Sequence, residues 1–222
     1  SSEIIIYINN QTGTVAKAKA FAHNSLVCNH IIMLNIVIFG APGSGKGTQS
    51  EKLIEKYGLA HISTGDVLRG EIKAGSALGK LAEGYISKGQ LVPDEVIIDM
   101  LAEVLDSKKD SKGVIFDGFP RTIPQGEALD AMLQERGQAV SAVVSLEVDE
   151  AELVDRLLKR GQLSGRSDDN EETIKSRLDV YKNQTSPLKE HYNKQGKLHG
   201  IPGMGKIDEI FARITEAIDN VK

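Results

Sequence analysis

The hydrophobic positions of this chain form short apolar runs from Leu34 onward, and most of these runs are followed by a turn and an amphipathic helix. This alternation is typical of a parallel β-sheet whose strands are joined by crossover helices. Continuous apolar runs indicate strands that are buried on both faces. The pattern predicts an α/β fold with five strands, at residues 34–39, 59–62, 114–116, 140–148 and 198–201.

Apolar residues at helical spacing predict helices between these strands. One stripe contains Val96, Ile97, Met100, Leu101, Val104 and Leu105, and a stripe in the last helix contains Ile207, Ile210, Phe211, Ile214 and Ile218. Pro93, followed by two acidic residues, is a favourable helix start. Pro187 lies inside a polar helical pattern over residues 170–195, so we expect a kink or break there.

The first 32 residues show no persistent strand or helix period and contain a single acidic residue. We interpret residues 1–32 as an appendage and residues 33–222 as one domain. Lys17 and Lys19 leave a targeting peptide as an alternative, but the segment has no arginine and no uninterrupted apolar run of the kind found in secretory signals.

Composition and charge exclude several classes of function. The 27 basic and 31 acidic residues give a formal charge of −4, which indicates neither a nucleic acid nor an anionic membrane as partner. No stretch approaches the roughly 20 apolar residues of a transmembrane helix. Cys28 is the single cysteine, which excludes an internal disulfide and a multi-cysteine zinc site. We expect a cytoplasmic protein that binds anions at a local site.

The strongest local signal is a glycine-rich segment from Gly40 to Thr48, which reads GAPGSGKGT. It follows a buried strand and precedes an amphipathic helix. Glycines allow backbone N–H groups to converge on phosphate oxygens, while the helix N-terminus and Lys46 add positive charge. Gly47 occupies the position where a hydroxyl residue usually follows the lysine, so we expect Mg²⁺ to be held by phosphate oxygens and water.

A second phosphate site is indicated by the arginines. The domain contains eight, and five of them lie in or beside glycine-rich or acidic turns: Arg69, Arg121, Arg160, Arg166 and Arg177. The planar guanidinium group binds two phosphate oxygens at once and stays charged. Each arginine could instead form a surface ion pair, but five in such settings favour phosphate binding.

These segments together resemble the adenylate kinase family, and the resemblance runs in the family's order from about residue 33 to residue 221. Its motifs are GAPGSGKGT from Gly40, STGDVLR from Ser63, GQLVPD from Gly89, DGFPRT from Asp117, Gln125, GRSDDN from Gly165, and Arg177. The resemblance implies the fold of a P-loop nucleoside monophosphate kinase. It also implies reversible transfer of the γ-phosphoryl group of ATP to AMP, which gives two ADP.

The resemblance also implies residue roles. The ATP phosphates are expected at Gly43, Ser44, Gly45, Lys46, Gly47 and Thr48, with Arg160 over the ATP adenine or phosphates and Gly205 near the ATP base. The AMP site is expected at Thr64, Arg69, Gln90, Leu91, Val92, Gly118, Phe119, Pro120, Arg121 and Gln125. Arg166 and Arg177 are expected to bridge the two phosphate chains. For Thr64 and Asp66, helix capping is the alternative role.

The expected mechanism follows from charge. Lys46, Mg²⁺ and the arginines neutralise repulsion between donor and acceptor phosphates, and no general base is needed because the AMP phosphate is already an anionic nucleophile. Asp117 is expected to orient magnesium-bound water, with capping of the following turn as its alternative.

Two segments are expected to close over the nucleotides and exclude water. Residues 63–92 resemble the family's AMP-binding flap, and residues 159–169 resemble its lid in the short form. The short lid and the missing cysteines exclude a zinc-bearing lid, and short family members are expected to be monomers.

Three alternatives remain at this point. A UMP/CMP kinase shares the phosphate loop and the arginines, but Thr64, Thr122 and Gln125 favour AMP. A GTPase-like switch would have no use for a second arginine-lined phosphate site. A catalytically inactive scaffold is disfavoured because Lys46 and the arginines are all present.

Overall fold

A computed structural model describes residues 33–108, 110–166 and 168–221. Its centre is a five-stranded sheet with the order β2-β3-β1-β4-β5, in which every neighbouring pair is parallel. The strands are β1 (Ile36–Gly40), β2 (Ala60–Ser63), β3 (Val114–Asp117), β4 (Ala142–Glu147) and β5 (Leu198–Pro202). The predicted α/β class and parallel sheet are therefore confirmed, while the predicted appendage at residues 1–32 lies outside the described residues.

Helices connect and cover the strands. They are α1 (Lys46–Tyr57), α2 (Thr64–Ala74), α3 (Ala77–Ile86), α4 (Asp94–Asp106), α5 (Ile123–Glu135), α6 (Glu150–Ser164), α7 (Glu171–Val180), α8 (Leu188–Lys194) and α9 (Ile207–Asp219). The break expected near Pro187 is present, because α8 begins directly after this residue. A π-helical turn, Tyr181–Thr185, precedes it, which the hydrophobic pattern did not indicate.

Both faces of the sheet are buried, which explains the continuous apolar runs. Val37 and Phe39 of β1 point to one core, which α4, α5 and α8 cover. Ile36 and Ile38 point to the other core, which α1 and α9 cover. The predicted stripe of the last helix is mostly confirmed, since Ile210, Ile214 and Ile218 are buried there.

One residue of that stripe is an exception. Ile207 is 52% exposed because it stands at the first turn of α9, beside the loop that leads from β5. The predicted fourth strand is also shorter at both ends. It begins after Ser141, whose hydroxyl accepts a hydrogen bond from the backbone N–H of Asn35 at 3.1 Å.

The carboxyl ends of β1 and β3 are neighbours in the sheet, with Ile38 paired to Asp117. The loops that follow these strands therefore open on the same edge. In open α/β sheets, this edge is where ligands bind. The segment after β1 contains the glycine-rich motif, and the segment after β3 contains Gly118 and Arg121.

Candidate active site

The glycine-rich loop joins β1 to α1. Gly43 and Gly45 have φ angles of 85° and 93°, in the left-handed region that favours glycine. At Gly43, a Cβ atom would also lie 2.9 Å from the side chain of Leu157. Helix α1 begins at Lys46, so its first backbone N–H groups face the loop, as an anion site at a helix N-terminus requires.

Lys46 folds back over this loop. Its ammonium donates hydrogen bonds to the carbonyl oxygens of Gly40 at 2.7 Å and Ala41 at 3.1 Å. Burial lowers the pKa of Lys46 to about 8, and the positive charges of Arg121 and Arg177 act in the same direction, whereas Asp117 opposes them. Burial and the neighbouring cations therefore make the protonated form of Lys46 less favourable. A bound phosphate would offset this penalty.

A cleft of about 380 Å³ lies in front of the loop, and we call it the phosphate cleft. Seven cationic and three acidic side chains line it: Lys46, Arg69, Arg121, Arg156, Arg160, Arg166 and Arg177, with Glu51, Asp66 and Asp117. Gly43, Gly45, Gly47, Thr48 and Gly118 line it as well. All five arginines selected from the sequence thus meet in one cavity, although 108 residues separate Arg69 from Arg177 in the chain.

Asp117 ends β3 and lines the phosphate cleft. Its carboxylate is 3.8 Å from Nε2 of His61 on β2. Burial raises the pKa of Asp117, but the interaction with His61 and the charges of Lys46 and Arg121 outweigh burial, so the pKa lies below its ordinary value. Asp117 is thus an anion in a mostly cationic cleft.

Two buried carboxylates orient the arginines. Asp169 binds Arg160 through two hydrogen bonds of 2.7 and 2.8 Å and also accepts one from Arg177 at 2.7 Å. Asp168 lies 2.9 Å from the guanidinium group of Arg177. The sequence showed these acids only as part of a motif, and the structure gives them a positioning role. The sequence signal that could have indicated this role is the run of acidic residues between Arg166 and Arg177.

Arg166 lies in the same cleft. Burial lowers its pKa from the ordinary value, and the charges of Arg69 and Arg160 act in the same direction.

Arg156 was missed in the sequence analysis. It stands one turn before Arg160 on α6, so both project from the same helix face, a spacing of four residues that the sequence does display. Its guanidinium group pairs with Glu152 at 2.7 Å and extends from the phosphate cleft into a second pocket of about 320 Å³. We call this second cavity the side pocket, and it is lined by Gly43, Ser44, Gly45, Thr48, Gln49, Arg156, Gly205, Ile207 and Ile210.

A narrow slot of about 70 Å³ lies between the sheet edge and α2 and α3, and we call it the flap slot. It brings together most of the residues expected at the AMP site: Thr64, Arg69, Gln90, Leu91, Val92, Gly118, Arg121, Gln125 and Arg177. Pro120 instead lines a neighbouring cavity, together with Lys46 and Arg121. Phe119 is 1% exposed in the hydrophobic core, so its side chain does not line the flap slot.

The capping alternative for Thr64 and Asp66 is wrong in detail. Ser63 caps α2, because its hydroxyl accepts a hydrogen bond from the backbone N–H of Asp66. Thr64 instead donates to the carbonyl oxygen of Gly118 at 2.8 Å, the same oxygen that accepts a hydrogen bond from Nε of Arg121 at 2.7 Å. Asp66 pairs with Arg69.

Comparison with known proteins decides the family. The adenylate kinase family model matches residues 38–197. The chain is 70% identical to an adenylate kinase of Parabacteroides distasonis over 190 residues, which cover 86% of this chain and 100% of that protein. It is 66% identical to an adenylate kinase of Bacteroides fragilis, over 85% of this chain and 100% of the relative. The chain belongs to the adenylate kinase family.

An adenylate kinase of the P-loop nucleoside monophosphate kinase fold, which transfers the γ-phosphoryl group of ATP to AMP, is confirmed. These relatives do not support the UMP/CMP kinase alternative, since a third one, from Porphyromonas gingivalis, is again an adenylate kinase, 55% identical over 86% of this chain and 98% of its own length.

Within residues 33–108, 110–166 and 168–221, no helix is long and apolar enough to cross a membrane. The same residues contain no group of three or more His, Cys, Asp and Glu side chains suited to a metal ion.

Proposed function

We propose that phosphoryl transfer from ATP to AMP takes place in the phosphate cleft, between ATP held by the glycine-rich loop and AMP held in the flap slot. The observation that carries this proposal is the convergence of Lys46 and six arginines on one cavity at the carboxyl edge of the sheet. Arg69, Arg121 and Arg177 line both the phosphate cleft and the flap slot, so an acceptor phosphate at their junction would meet the donor phosphates.

In the proposed reaction, the bond between the γ-phosphorus and the β–γ bridging oxygen of ATP breaks while an AMP phosphate oxygen bonds to the same phosphorus. The loop N–H groups of Gly43 to Thr48 and Lys46 hold the ATP phosphates. Arg69 and Arg121 hold the AMP phosphate, and Arg160, Arg166 and Arg177 spread positive charge over the transferring group. Positioning and charge stabilisation of this kind supply most of the rate in phosphoryl transfer.

Magnesium fits this arrangement. Mg²⁺ in such sites is usually held by substrate phosphates, water and one or two carboxylates, and it neutralises phosphate charge when bound. Asp117 is an ionised carboxylate in the phosphate cleft, which the hydroxyl-bearing Thr48 of α1 also lines. We assign Asp117 the orientation of magnesium-bound water. Adenylate kinases use Mg²⁺ with ATP.

The side pocket is the proposed site of the ATP base. It adjoins the glycine-rich loop, and its walls combine the guanidinium group of Arg156 with the apolar side chains of Ile207 and Ile210. Such surfaces suit the face of a purine. Gly205, at φ 107°, brings its backbone to the same pocket, as the resemblance implied. We therefore assign the contact with adenine to Arg156 and leave Arg160 the other expected role, at the ATP phosphates.

The flap and the lid are proposed as moving parts. Pockets for small molecules usually measure about 300–1,000 Å³, whereas the flap slot measures about 70 Å³, so AMP entry requires α2 and α3 to move outward. Residues 159–164 of the expected lid form the end of α6, whereas residues 165–166 and 168–170 form a loop. We propose that this loop, which contains Arg166, moves with the end of α6.

Both clefts are built from one chain, so we propose a monomer that acts in the cytoplasm on ATP, AMP and ADP. Initial rates with AMP, UMP, CMP and GMP at saturating Mg-ATP test the function. We expect a clear preference for AMP and two ADP formed per turnover, with loss of activity on chelation of Mg²⁺. Preference for UMP or CMP, or formation of ADP with free phosphate, would contradict the proposal.

A further inference from the structure

A buried polar network holds the amide group of Gln125, whose side chain faces the flap slot. Gln125 is 2% exposed. Its Oε1 accepts a hydrogen bond from the backbone N–H of Arg121 at 2.8 Å, and its Nε2 donates to Oδ1 of Asp94 at 2.7 Å. The second carboxylate oxygen of Asp94 accepts a hydrogen bond from the hydroxyl of Thr122 at 2.9 Å. Thr122 also caps α5 by accepting from the backbone N–H of Gln125.

The chemistry of these partners fixes which way the amide points. A backbone N–H can only donate, and a carboxylate can only accept. Rotation of the Gln125 amide by 180° would place its oxygen against the carboxylate of Asp94 and its NH₂ group against the N–H of Arg121. Both hydrogen bonds would be lost in a buried setting, where unpaired polar groups are strongly unfavourable. A single amide orientation therefore remains.

The held amide keeps one N–H and one lone pair for a ligand. Adenine presents the N6 amino donor next to the N1 acceptor, which matches one amide orientation. Hypoxanthine and guanine present the O6 acceptor next to the N1–H donor, which matches the opposite orientation. The base of IMP differs from that of AMP only in this edge.

We propose that Asp94 is a specificity-determining positioning residue, which favours AMP over IMP and GMP by holding the Gln125 amide in one orientation. This inference rests on the proposed place of the AMP base in the flap slot beside Gln125. Cytosine has the same donor-next-to-acceptor edge as adenine, so Asp94 gives no selection against CMP. The network rejects bases by the direction of their hydrogen bonds.

The test is the variant Asp94→Asn. Asparagine can offer either an oxygen or an NH₂ group to Gln125, so only the backbone N–H of Arg121 still opposes rotation of the amide. We measure kcat and KM for AMP and for IMP at saturating Mg-ATP. The ratio of the kcat/KM values, AMP over IMP, is expected to fall by about three- to tenfold, because the variant removes one of the two hydrogen bonds that orient the amide. The control is Asp99→Asn, the same change at an exposed position of α4, which is expected to leave the ratio unchanged.

A double variant separates an effect of Asp94 on the Gln125 amide from a general effect of the substitution on the structure. In Gln125→Leu, the change Asp94→Asn is expected to leave the AMP-to-IMP ratio unchanged, because Asp94 acts only through the amide. Asp94→Ser, whose hydroxyl also donates or accepts, repeats the test if Asp94→Asn does not fold.

Each result decides the matter. An equal loss for AMP and IMP in the folded Asp94 variant would overturn the inference, as would a change of ratio that persists without Gln125. A wild-type protein that converts ATP and AMP to ADP while Asp94→Asn keeps its ratio would refute this inference alone. A wild-type protein without that conversion would refute the proposed function as well.

Discussion

Lys46 and Arg121 carry positive charge at positions where burial opposes it. Burial lowers the pKa of Lys46 to about 8 and that of Arg121 to about 10, and Arg177 adds repulsion to both. Such shifts are typical of groups that await a charged ligand. Phosphate oxygens would reverse the unfavourable interaction, so these side chains stabilise the bound transition state more than they stabilise the free protein.

Removal of either charge is therefore expected to reduce catalysis without unfolding the protein. We predict that Lys46→Ala and Arg121→Ala each lower kcat by on the order of a hundredfold or more, because each removes stabilisation of the transferring phosphoryl group. Steady-state kinetics and thermal melting measure the two effects. Lys175→Ala, at an exposed position of α7, is the matched control for Lys46. Near-normal turnover in either variant would remove that residue from its assigned role.

The lowered pKa of Lys46 predicts a pH dependence. The protonated ammonium binds the ATP phosphates, so kcat/KM for ATP should fall as the pH rises through about 8, where free Lys46 loses its proton. The fall in kcat should come at higher pH, because bound phosphates favour the charged form. In Lys46→Arg, whose side chain stays charged, the remaining kcat/KM for ATP should not fall as the pH rises through about 8. A wild-type profile that stays flat to pH 9 would contradict the assignment.

Among the secondary-structure elements, the end of the flap is tied to an arginine of the phosphate cleft. Gly89, with φ 69°, follows α3, and a Cβ atom there would lie 2.9 Å from both the carbonyl oxygen of Thr173 and the Cγ atom of Arg177. Thr173 and Ser176 of α7 also donate hydrogen bonds to backbone carbonyls at this end of the flap, at 3.2 and 2.8 Å. We therefore expect the position of α3 to affect the position of Arg177.

This contact can be tested with a matched pair of glycines. Gly75 has a φ angle of 68° but open space around its Cα atom, so Gly75→Ala introduces only the backbone strain. We predict that Gly89→Ala destabilises the protein by about 1–3 kcal/mol more than Gly75→Ala does, through overpacking against α7. It should also lower kcat, because Arg177 shifts. Urea unfolding and kinetics measure both effects, and equal values for the two variants would refute the coupling.

Over the whole molecule, two nucleotide sites share one set of cations. A ligand that joins two adenosines through five phosphates should therefore bind one per chain and span both sites. At a hundredfold excess over its Kd, such a ligand adds about 2.7 kcal/mol of stability, and for a chain of this size that raises the melting temperature by about 5–10 °C. ATP or AMP alone, at the same multiple of its own Kd, should give a similar shift, and the two together more than either. Calorimetry that finds only a single nucleotide bound per chain would refute the two-site arrangement.

The sequence by itself determined the parallel five-stranded sheet, the glycine-rich loop and the choice of five arginines. These features depend on local spacing. Alternation of apolar runs and helical stripes specifies which residues are buried, and a strand, a glycine-rich turn and a helix in succession specify an anion site wherever they occur.

Only the tertiary structure decided how those residues act. Asp94 and Gln125 are 31 residues apart, yet their hydrogen bond fixes an amide orientation that no periodicity encodes. The segment between β5 and α9 contacts Arg156 of α6 through the carbonyl oxygen of Gly203. As a result, Arg156 and Ile207 both line the side pocket, which the sequence pattern did not indicate. Such contacts depend on which strands are neighbours in the sheet, a property of the whole fold that local sequence patterns do not contain.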